Sequence, residues 1–286
     1  MYQKLFTKIR NLEQNSNGKQ KILARYLLSH FNETSFQTVA EVANKASVSE
    51  STVIRFSREL GFRGFPHLKD EFQKAILSKL SPSERLHAFE TQNNCEKLIG
   101  HVFEKEIKNI RETQKKLDFD NINRVAHRIV KAQKKYVMGL RASTASAYLL
   151  GRLLSHILPS VITILNGDTS LFEGFKDMDK EDILVGFSYP RYTKRTADAF
   201  QFARKCHTTT IAITDSEFSP SAQISDFTLI APAYSGTFSN SFTACSSMIN
   251  VLITLITHIN KDETDKMLKK LEDALKGFDF FEDRIS

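Results

Sequence analysis

The sequence lacks the features that mark secreted, membrane-spanning and disulfide-bonded proteins. Cys95, Cys206 and Cys245 lie far apart and show no C-x-x-C spacing, so we expect reduced thiols. The most apolar stretch, residues 248–259, is too short to cross a bilayer and contains a histidine. No apolar signal core follows Met1. We therefore expect a cytoplasmic protein that does not associate with membranes.

Metal-site and dinucleotide motifs are also missing. The 8 histidines include no H-E-x-x-H motif and no paired ligand spacing. The segment GLRAST, residues 139–144, lacks the glycines of a G-x-G-x-x-G loop. We therefore expect no metal and no cofactor.

Positive charge is present, but it is concentrated near the N-terminus. Residues 1–80 hold 13 Lys and Arg against 7 Asp and Glu, a net charge of +6, although the whole chain carries only +7. Such an imbalance favours a polyanionic partner for this segment, although ordinary solvated surfaces can carry a similar charge.

The hydrophobic pattern changes along the chain and divides it into two regions. Residues 1–78 show a helical period, as in YQKLFTKIRNL, whose apolar positions fall on one face. Residues 79–96 are polar and lack a sustained period, which predicts a linker containing some helix. We expect a helical domain at 1–78, the linker at 79–96 and a second domain at 97–286.

The second region contains short apolar, β-branched runs that alternate with amphipathic helical segments. This alternation predicts an α/β domain with a doubly wound, five-stranded parallel sheet, whose ligands bind at the carboxyl ends of the strands. The predicted strands are residues 135–140, 161–166, 183–188, 209–214 and 227–232.

Residues 38–62 have the pattern of a helix-turn-helix. Val53, Phe56 and Leu60 fall on one face of the second helix and can pack on the first, and hydroxyls and arginine fall on the other face. A recognition helix places such groups in the major groove. The alternative is an ordinary helical hairpin with a polar face. The predicted DNA-binding residues are Ser49, Ser51, Thr52, Arg55, Arg58, Arg63 and Lys69.

Two loops at predicted strand ends are suited to an anion. They are GLRASTAS at 139–146 and SYPRYTKRT at 188–196, and both combine hydroxyls with arginine, whose fork binds two oxygens at once. The alternative is that both loops are merely polar, and Tyr189 and Tyr192 can either pack on the sheet edge or cover a ligand. The predicted ligand-binding residues are Arg141, Ser143, Thr144, Ser188, Arg191 and Thr193.

An isomerase would need a positioned base beside its sugar, and the candidates are weak. We expect Asp215 to cap the turn that follows it and Glu173 to lie on a helix surface. His207 precedes a predicted strand and so belongs to the opposite end of the sheet, and His258 lies far along its helix. We therefore expect no enzymatic activity.

The stretch VSESTVIRFSRELGFRGFPHLK, with its S-T-V-x-R-F and L-G-F-x-G-F motifs, resembles RpiR-type bacterial transcriptional regulators. Residues 97–260 resemble the flavodoxin-like SIS (sugar isomerase) domain of these regulators, with Ser143 at the phosphate-contacting serine. SYPRYT stands where isomerases carry S-x-S-G-x-[ST]. Pro190 and Arg191 replace the middle residues, which leaves a phosphosugar and a different anion, such as a carboxylate, both open.

The resemblance implies a regulator that binds double-stranded operator DNA, senses a small anionic effector and controls carbohydrate-metabolism genes. It also implies a homodimer or a dimer of dimers, for which residues 241–256 can serve either as an interface or as core. A SIS-type sugar-phosphate isomerase is the alternative function, and a protein that only scaffolds others is a third.

Overall fold

The computed structural model describes residues 3–35, 37–89 and 95–276. Its N-terminal region is helical, as predicted. Part of the predicted linker, residues 90–94, and the last residues of the predicted second domain, 277–286, lie outside the described residues. The helices of this region are α1 (Gln3–Asn15), α2 (Lys19–Ser29), α3 (Phe31–Thr34), α4 (Val39–Lys45), α5 (Glu50–Glu59), α6 (Phe65–Lys79) and, within the predicted linker, α7 (Pro82–Phe89).

The remaining described residues alternate between strands and helices after two long helices. The elements are α8 (Cys95–Lys116), α9 (Phe119–Lys131), β1 (Lys135–Gly139), α10 (Thr144–Ile157), β2 (Val161–Ile164), α11 (Ser170–Glu173), β3 (Ile183–Ser188), α12 (Lys194–Lys205), β4 (Thr209–Thr214), β5 (Phe227–Ile230), α13 (Thr243–Ile259) and α14 (Lys261–Leu275).

The helix pair α4 and α5 forms the predicted helix-turn-helix. Thr38 begins α4 with a capping box: its hydroxyl accepts from the Glu41 amide at 3.3 Å, and the Glu41 carboxylate accepts from the Thr38 amide at 2.6 Å. Ser47 takes a left-handed conformation, φ 54°, in the tight turn between the helices. Ser49 then caps α5, and Gly61, φ 94°, follows its end.

The apolar faces of these helices meet in one core. Val42 and Ala43 from α4 and Val53 and Phe56 from α5 are buried there, together with residues of α1, α2 and α6. This burial confirms the predicted packing of the second helix on the first.

The five predicted strands form one parallel sheet in the order β2-β1-β3-β4-β5. Strands β1, β3 and β4 are buried almost throughout because helices cover both faces of the sheet. One core lies between the sheet and helices α9, α10 and α13, and a second lies beneath α11 and α12. The fold is the predicted doubly wound, flavodoxin-like α/β domain.

Helix α13 belongs to the core. Its residues Cys245, Met248, Ile249, Leu252 and Ile256 are buried against the sheet and the neighbouring helices. The apolar character of residues 241–256 is therefore explained within a single chain, and the buried face of this helix is not available to a second copy.

Within the residues that the structure describes, no single helix is long and apolar enough to cross a membrane. Helices α13 and α14 satisfy that requirement only when taken together, and they meet at a bend of 105°.

Candidate functional site

The two loops that the sequence singles out lie side by side at the carboxyl edge of the sheet. Strands β1 and β3 are neighbours, and Gly139 at the end of β1 pairs with Phe187 near the end of β3. The loops after these strands therefore form two walls of a cleft of about 170 Å³. A water molecule needs roughly 10–15 Å³ on the same measure, so the cleft has room for a small metabolite.

Gly139 allows the first wall to form. A Cβ atom at this position would lie 2.3 Å from the Ser143 carbonyl oxygen and 2.9 Å from the Ala147 side chain. The absence of a side chain lets the 3-10 turn Arg141–Ser143 fold back over the strand end. The turn leads into α10 and so places the start of that helix at the cleft.

An arginine in each wall has a left-handed backbone. Arg141 has φ 58° and Arg191 has φ 65°, and both line the cleft. A non-glycine residue in this region costs on the order of 1–3 kcal/mol, and such residues cluster at ligand-binding sites. The two guanidinium groups make the cleft strongly positive.

Hydroxyl-bearing residues of the predicted set line the same cleft. Ser188 is 3% exposed, and its Oγ has no hydrogen-bond partner among the described residues. A buried hydroxyl without a partner costs about 1–3 kcal/mol, which a ligand oxygen would recover. Ser143 and Thr193 also line the cleft and directly precede α10 and α12, where helix-start amides favour an anion.

Thr144 is placed differently from the other predicted ligand-binding residues. Its hydroxyl donates to the Arg141 carbonyl at 2.7 Å, and the residue lies outside the cleft lining. It therefore holds the turn that carries Arg141 and does not face the cleft.

The structure adds one residue that the sequence analysis missed. Arg85, on α7, is only 4% exposed and lines the cleft, with its Nη1 donating to the Asn240 side-chain oxygen at 2.9 Å. Burial and the nearby Arg191 charge lower the pKa of the Arg85 guanidinium, and Asp215 and Tyr192 act in the opposite direction. The Ser81–Glu84 capping box next to Arg85 predicts the start of a helix, but it does not indicate that Arg85 reaches the cleft.

The Tyr192 side chain neither packs on the sheet edge nor covers the cleft. It is packed in the core of the helical N-terminal domain, next to the cleft residues Arg191 and Thr193. Its hydroxyl donates to Asp215 Oδ1 at 2.8 Å. In the turn that follows Asp215, the Ser216 hydroxyl accepts from the Phe218 amide at 3.1 Å.

The loop after β4 also contacts the helical domain directly. The Ser216 hydroxyl donates to the Glu71 carboxylate of α6 at 2.5 Å, and both residues are buried. The rings of Phe62 and Phe218 lie 5.5 Å apart. The helical domain is therefore docked on the edge of the sheet that carries the cleft.

The polar face of α5 is exposed. On this face Arg55 lies one turn beyond Ser51 and Arg58 lies two turns beyond it. Ser49 and Arg63 are also exposed. Lys69 is half-buried on α6. Thr52 differs, because it is 5% exposed and its hydroxyl is 2.8 Å from Ser49 Oγ. Thr52 thus supports the cap of α5 and is not presented to solvent.

The candidate bases for catalysis do not converge on the cleft. Glu173 ends the short helix α11 and is exposed, as predicted. His207 precedes β4 at the amino end of the sheet. Asp215 lies outside the cleft lining.

Two family models match the chain. Residues 3–79 match a helix-turn-helix domain of the rpiR family, and residues 128–255 match the SIS domain. An uncharacterized HTH-type transcriptional regulator of Haemophilus influenzae is 25% identical over 228 residues, 79% of each protein. Another, of Clostridium perfringens, is 24% identical over 267 residues, 91% of this chain and 95% of that protein.

Solved structures share the fold. The sugar isomerase domain of an RpiR transcription factor from Sphaerobacter thermophilus is 26% identical, with a TM-score of 0.60 over 62% of this chain and 98% of that one. The Vibrio vulnificus NanR protein, solved in complex with ManNAc-6P, is 18% identical, with a TM-score of 0.58 over 95% of this chain and 98% of that one.

Proposed function

The chain belongs to the rpiR family of helix-turn-helix transcriptional regulators with a SIS domain, and we propose that its cleft binds a small anionic metabolite that controls DNA binding. It is a transcriptional regulator and not an enzyme. The proposal concerns the class of effector, the residues that bind it and the genes that it controls. The strongest support is that Arg141 and Arg191 line the same cleft as Ser188, whose buried hydroxyl has no hydrogen-bond partner among the described residues.

A phosphorylated sugar or sugar acid suits this cleft. Its phosphate or carboxylate can accept from the two arginine forks, while Ser143, Ser188 and Thr193 supply hydroxyls to the remaining oxygens. NanR, which aligns over 95% of this chain, was solved with ManNAc-6P, so phosphorylated amino sugars are the first compounds to test. Control of carbohydrate-metabolism genes follows from an effector of this class.

Pro190 makes the second wall unlike a loop that binds phosphate through its backbone. Proline has no N–H to donate, so the loop offers one donor fewer. Arg191 follows directly and lines the cleft, so its side chain supplies charge and donors in place of that amide. The replacement of a backbone amide by the Arg191 side chain favours recognition of the anion by side chains. Effector affinity is therefore proposed to depend most on Arg191.

The helix α5 is proposed to enter the major groove of operator DNA. Its exposed face offers Ser49, Ser51 and Arg55 to base edges and phosphates, and Arg58, Arg63 and Lys69 lie where phosphate contacts are expected. Thr52 is excluded from this set because its hydroxyl is bonded within the cap. Operator DNA is the partner that the family implies, and these residues are the proposed contacts with it.

A second copy of the chain is the proposed partner for assembly. Helix α8 exposes apolar side chains at one-turn spacing, with Ile99 59%, Phe103 65% and Ile107 46% exposed. A second copy can cover this apolar stripe and place two DNA-binding domains on a two-fold operator, with half-sites roughly 34 Å or a multiple apart. Light scattering of the wild type and of Phe103→Glu tests this point, and a monomeric wild type would rule it out.

The effector proposal is tested by a thermal-shift screen of the full chain against phosphorylated sugars, sugar acids and their phosphates. A selective ligand stabilises the folded state by RT ln(1 + [L]/Kd), about 2.7 kcal/mol at a hundredfold excess over Kd. We expect a hit among the anions and none among the matching neutral sugars. Chemical turnover of the hit would support the isomerase alternative, and neutral sugars binding as tightly would contradict an anion site.

A further inference from the structure

We propose that Arg85, on the helix between the two domains, is itself an effector-binding residue, so that one anion is held jointly by α7 and the SIS domain. This inference rests on the proposed effector site and adds a binding residue from outside the SIS domain. It makes effector occupancy depend directly on the position of the DNA-binding domain.

The first support is the geometry of Arg85. Its side chain is buried at the cleft, where Nη1 donates to Asn240 Oδ1 at 2.9 Å. The Asn240 amide in turn donates to the Pro190 carbonyl at 3.2 Å, so Arg85 is connected to the loop that carries Arg191. These two hydrogen bonds hold the guanidinium at the cleft wall.

The second support is electrostatic. Arg85 and Arg191 both line the cleft. Burial and, next, the repulsion of the Arg191 charge lower the pKa of Arg85, while Asp215 and Tyr192 act in the opposite direction. An anion between the two arginines replaces this repulsion with two attractive contacts. Paired arginines of this kind suit phosphate or carboxylate, because each fork can hold two oxygens.

The third support is the connection of α7 to the DNA-binding domain. Only Leu80 and Ser81 separate α7 from α6, and the Ser81 amide donates to Glu84 at 2.7 Å in a capping box that fixes the start of α7. Helix α6 contributes Phe72 to the core of the helical domain. Movement of that domain therefore moves Arg85 relative to the cleft.

A regulatory consequence follows from this connection. An effector that contacts Arg85 binds best to the arrangement of domains that places Arg85 at the cleft, and it therefore favours that arrangement over others. Arg85 thereby adds to the differential affinity that an effector needs in order to change DNA binding.

The test measures binding of inorganic phosphate to the full-length protein by titration calorimetry, with chloride at matched ionic strength as the reference. Arg85→Gln and Arg191→Gln each remove one fork, and Arg204→Gln, at an exposed site on α12, removes the same charge elsewhere. We expect Kd to rise roughly tenfold or more for both cleft variants and to stay within about twofold for Arg204→Gln.

The outcomes separate this inference from the proposed function. Unchanged affinity in Arg85→Gln together with weakened binding in Arg191→Gln overturns the inference and leaves the effector site standing. Unchanged affinity in both overturns the effector site itself. If circular dichroism shows that Arg85→Gln is unfolded, Arg85→Lys replaces it. Lysine retains the charge of arginine but lacks its two-pronged guanidinium. Phosphate binding that is several-fold weaker in Arg85→Lys supports the inference, and an unchanged Kd overturns it.

Discussion

The Tyr192 hydroxyl donates a hydrogen bond to Asp215, 2.8 Å away, while the Tyr192 ring is buried in the core of the DNA-binding domain. The residues on either side of it, Arg191 and Thr193, line the cleft. Asp215 follows Thr214, whose hydroxyl donates to the Ser188 carbonyl at 2.6 Å. Cleft and DNA-binding domain are therefore joined through consecutive residues of one loop, so a shift of that loop reaches both.

Tyr192→Phe should weaken this connection and keep the ring packing. The change removes the donor to a buried carboxylate, which costs about 1–3 kcal/mol of unfolding free energy. Urea denaturation of the full chain measures this cost. The exposed Tyr148, substituted by phenylalanine, is the control and should change stability by less than about 0.5 kcal/mol.

The same variant tests whether Tyr192 takes part in signalling. We expect the effector to bind Tyr192→Phe but to change its DNA affinity less than in the wild type, because the loop that carries both Arg191 and the ring packed in the DNA-binding domain loses its hydrogen bond to Asp215. An undiminished effector response would mean that the Tyr192–Asp215 hydrogen bond only stabilises the protein.

Gly139→Ala should disrupt the first wall of the cleft. The added Cβ would lie 2.3 Å from the Ser143 carbonyl oxygen, so the Arg141–Ser143 turn has to move. We expect a loss of about 1–3 kcal/mol in stability, from overpacking, together with a loss of effector binding. Thermal unfolding with and without effector measures both.

Gly100 on α8 offers the matched control for this substitution. A Cβ there has nothing within 4 Å, and alanine favours a helix over glycine by about 0.5–1 kcal/mol. Gly100→Ala should therefore be neutral or stabilising and should bind effector normally. Equal behaviour of the two variants would show that close approach at Gly139 is unimportant.

Arg55→Ala should weaken operator binding and leave effector affinity unchanged. An arginine fork on a base is worth about 1–3 kcal/mol, so the Kd for operator should rise roughly fivefold to a hundredfold. Fluorescence anisotropy on DNA selected by the protein measures this change. Arg204→Ala is the control for net charge, and normal operator binding by Arg55→Ala would show that α5 is placed wrongly on DNA.

Much of the fold could be predicted because its signals are local. The capping box at Thr38, the glycine at position 61 and the β-branched strand runs each specify an element from a few neighbouring residues. The cleft position followed from the rule that parallel α/β sheets bind ligands at their carboxyl edge. The sequence predicts Ser188 and Arg191 as ligand-binding residues; both line the cleft, and their binding of a ligand stays a prediction.

The contacts between domains could not be predicted, because no local pattern encodes them. Arg85 reaches the cleft only through the packing of α7, and a polar linker sequence carries no sign of that. Tyr192 and Glu71 look like ordinary loop and helix residues until their contacts across the domain boundary are known: the Tyr192 ring lies in the core of the helical domain, and the Glu71 carboxylate accepts from the Ser216 hydroxyl. The predicted domain limits place the start of the second domain at residue 97, and a fragment cut there would lack Arg85.

The most direct measurement is the DNA affinity of the full-length protein with and without the effector found in the screen, for the wild type and for Arg191→Ala. We expect the effector to change the operator Kd of the wild type by at least fivefold, about 1 kcal/mol of coupling. Arg191→Ala should bind operator like the wild type and show no effector response. An effector response that survives in Arg191→Ala would contradict the account.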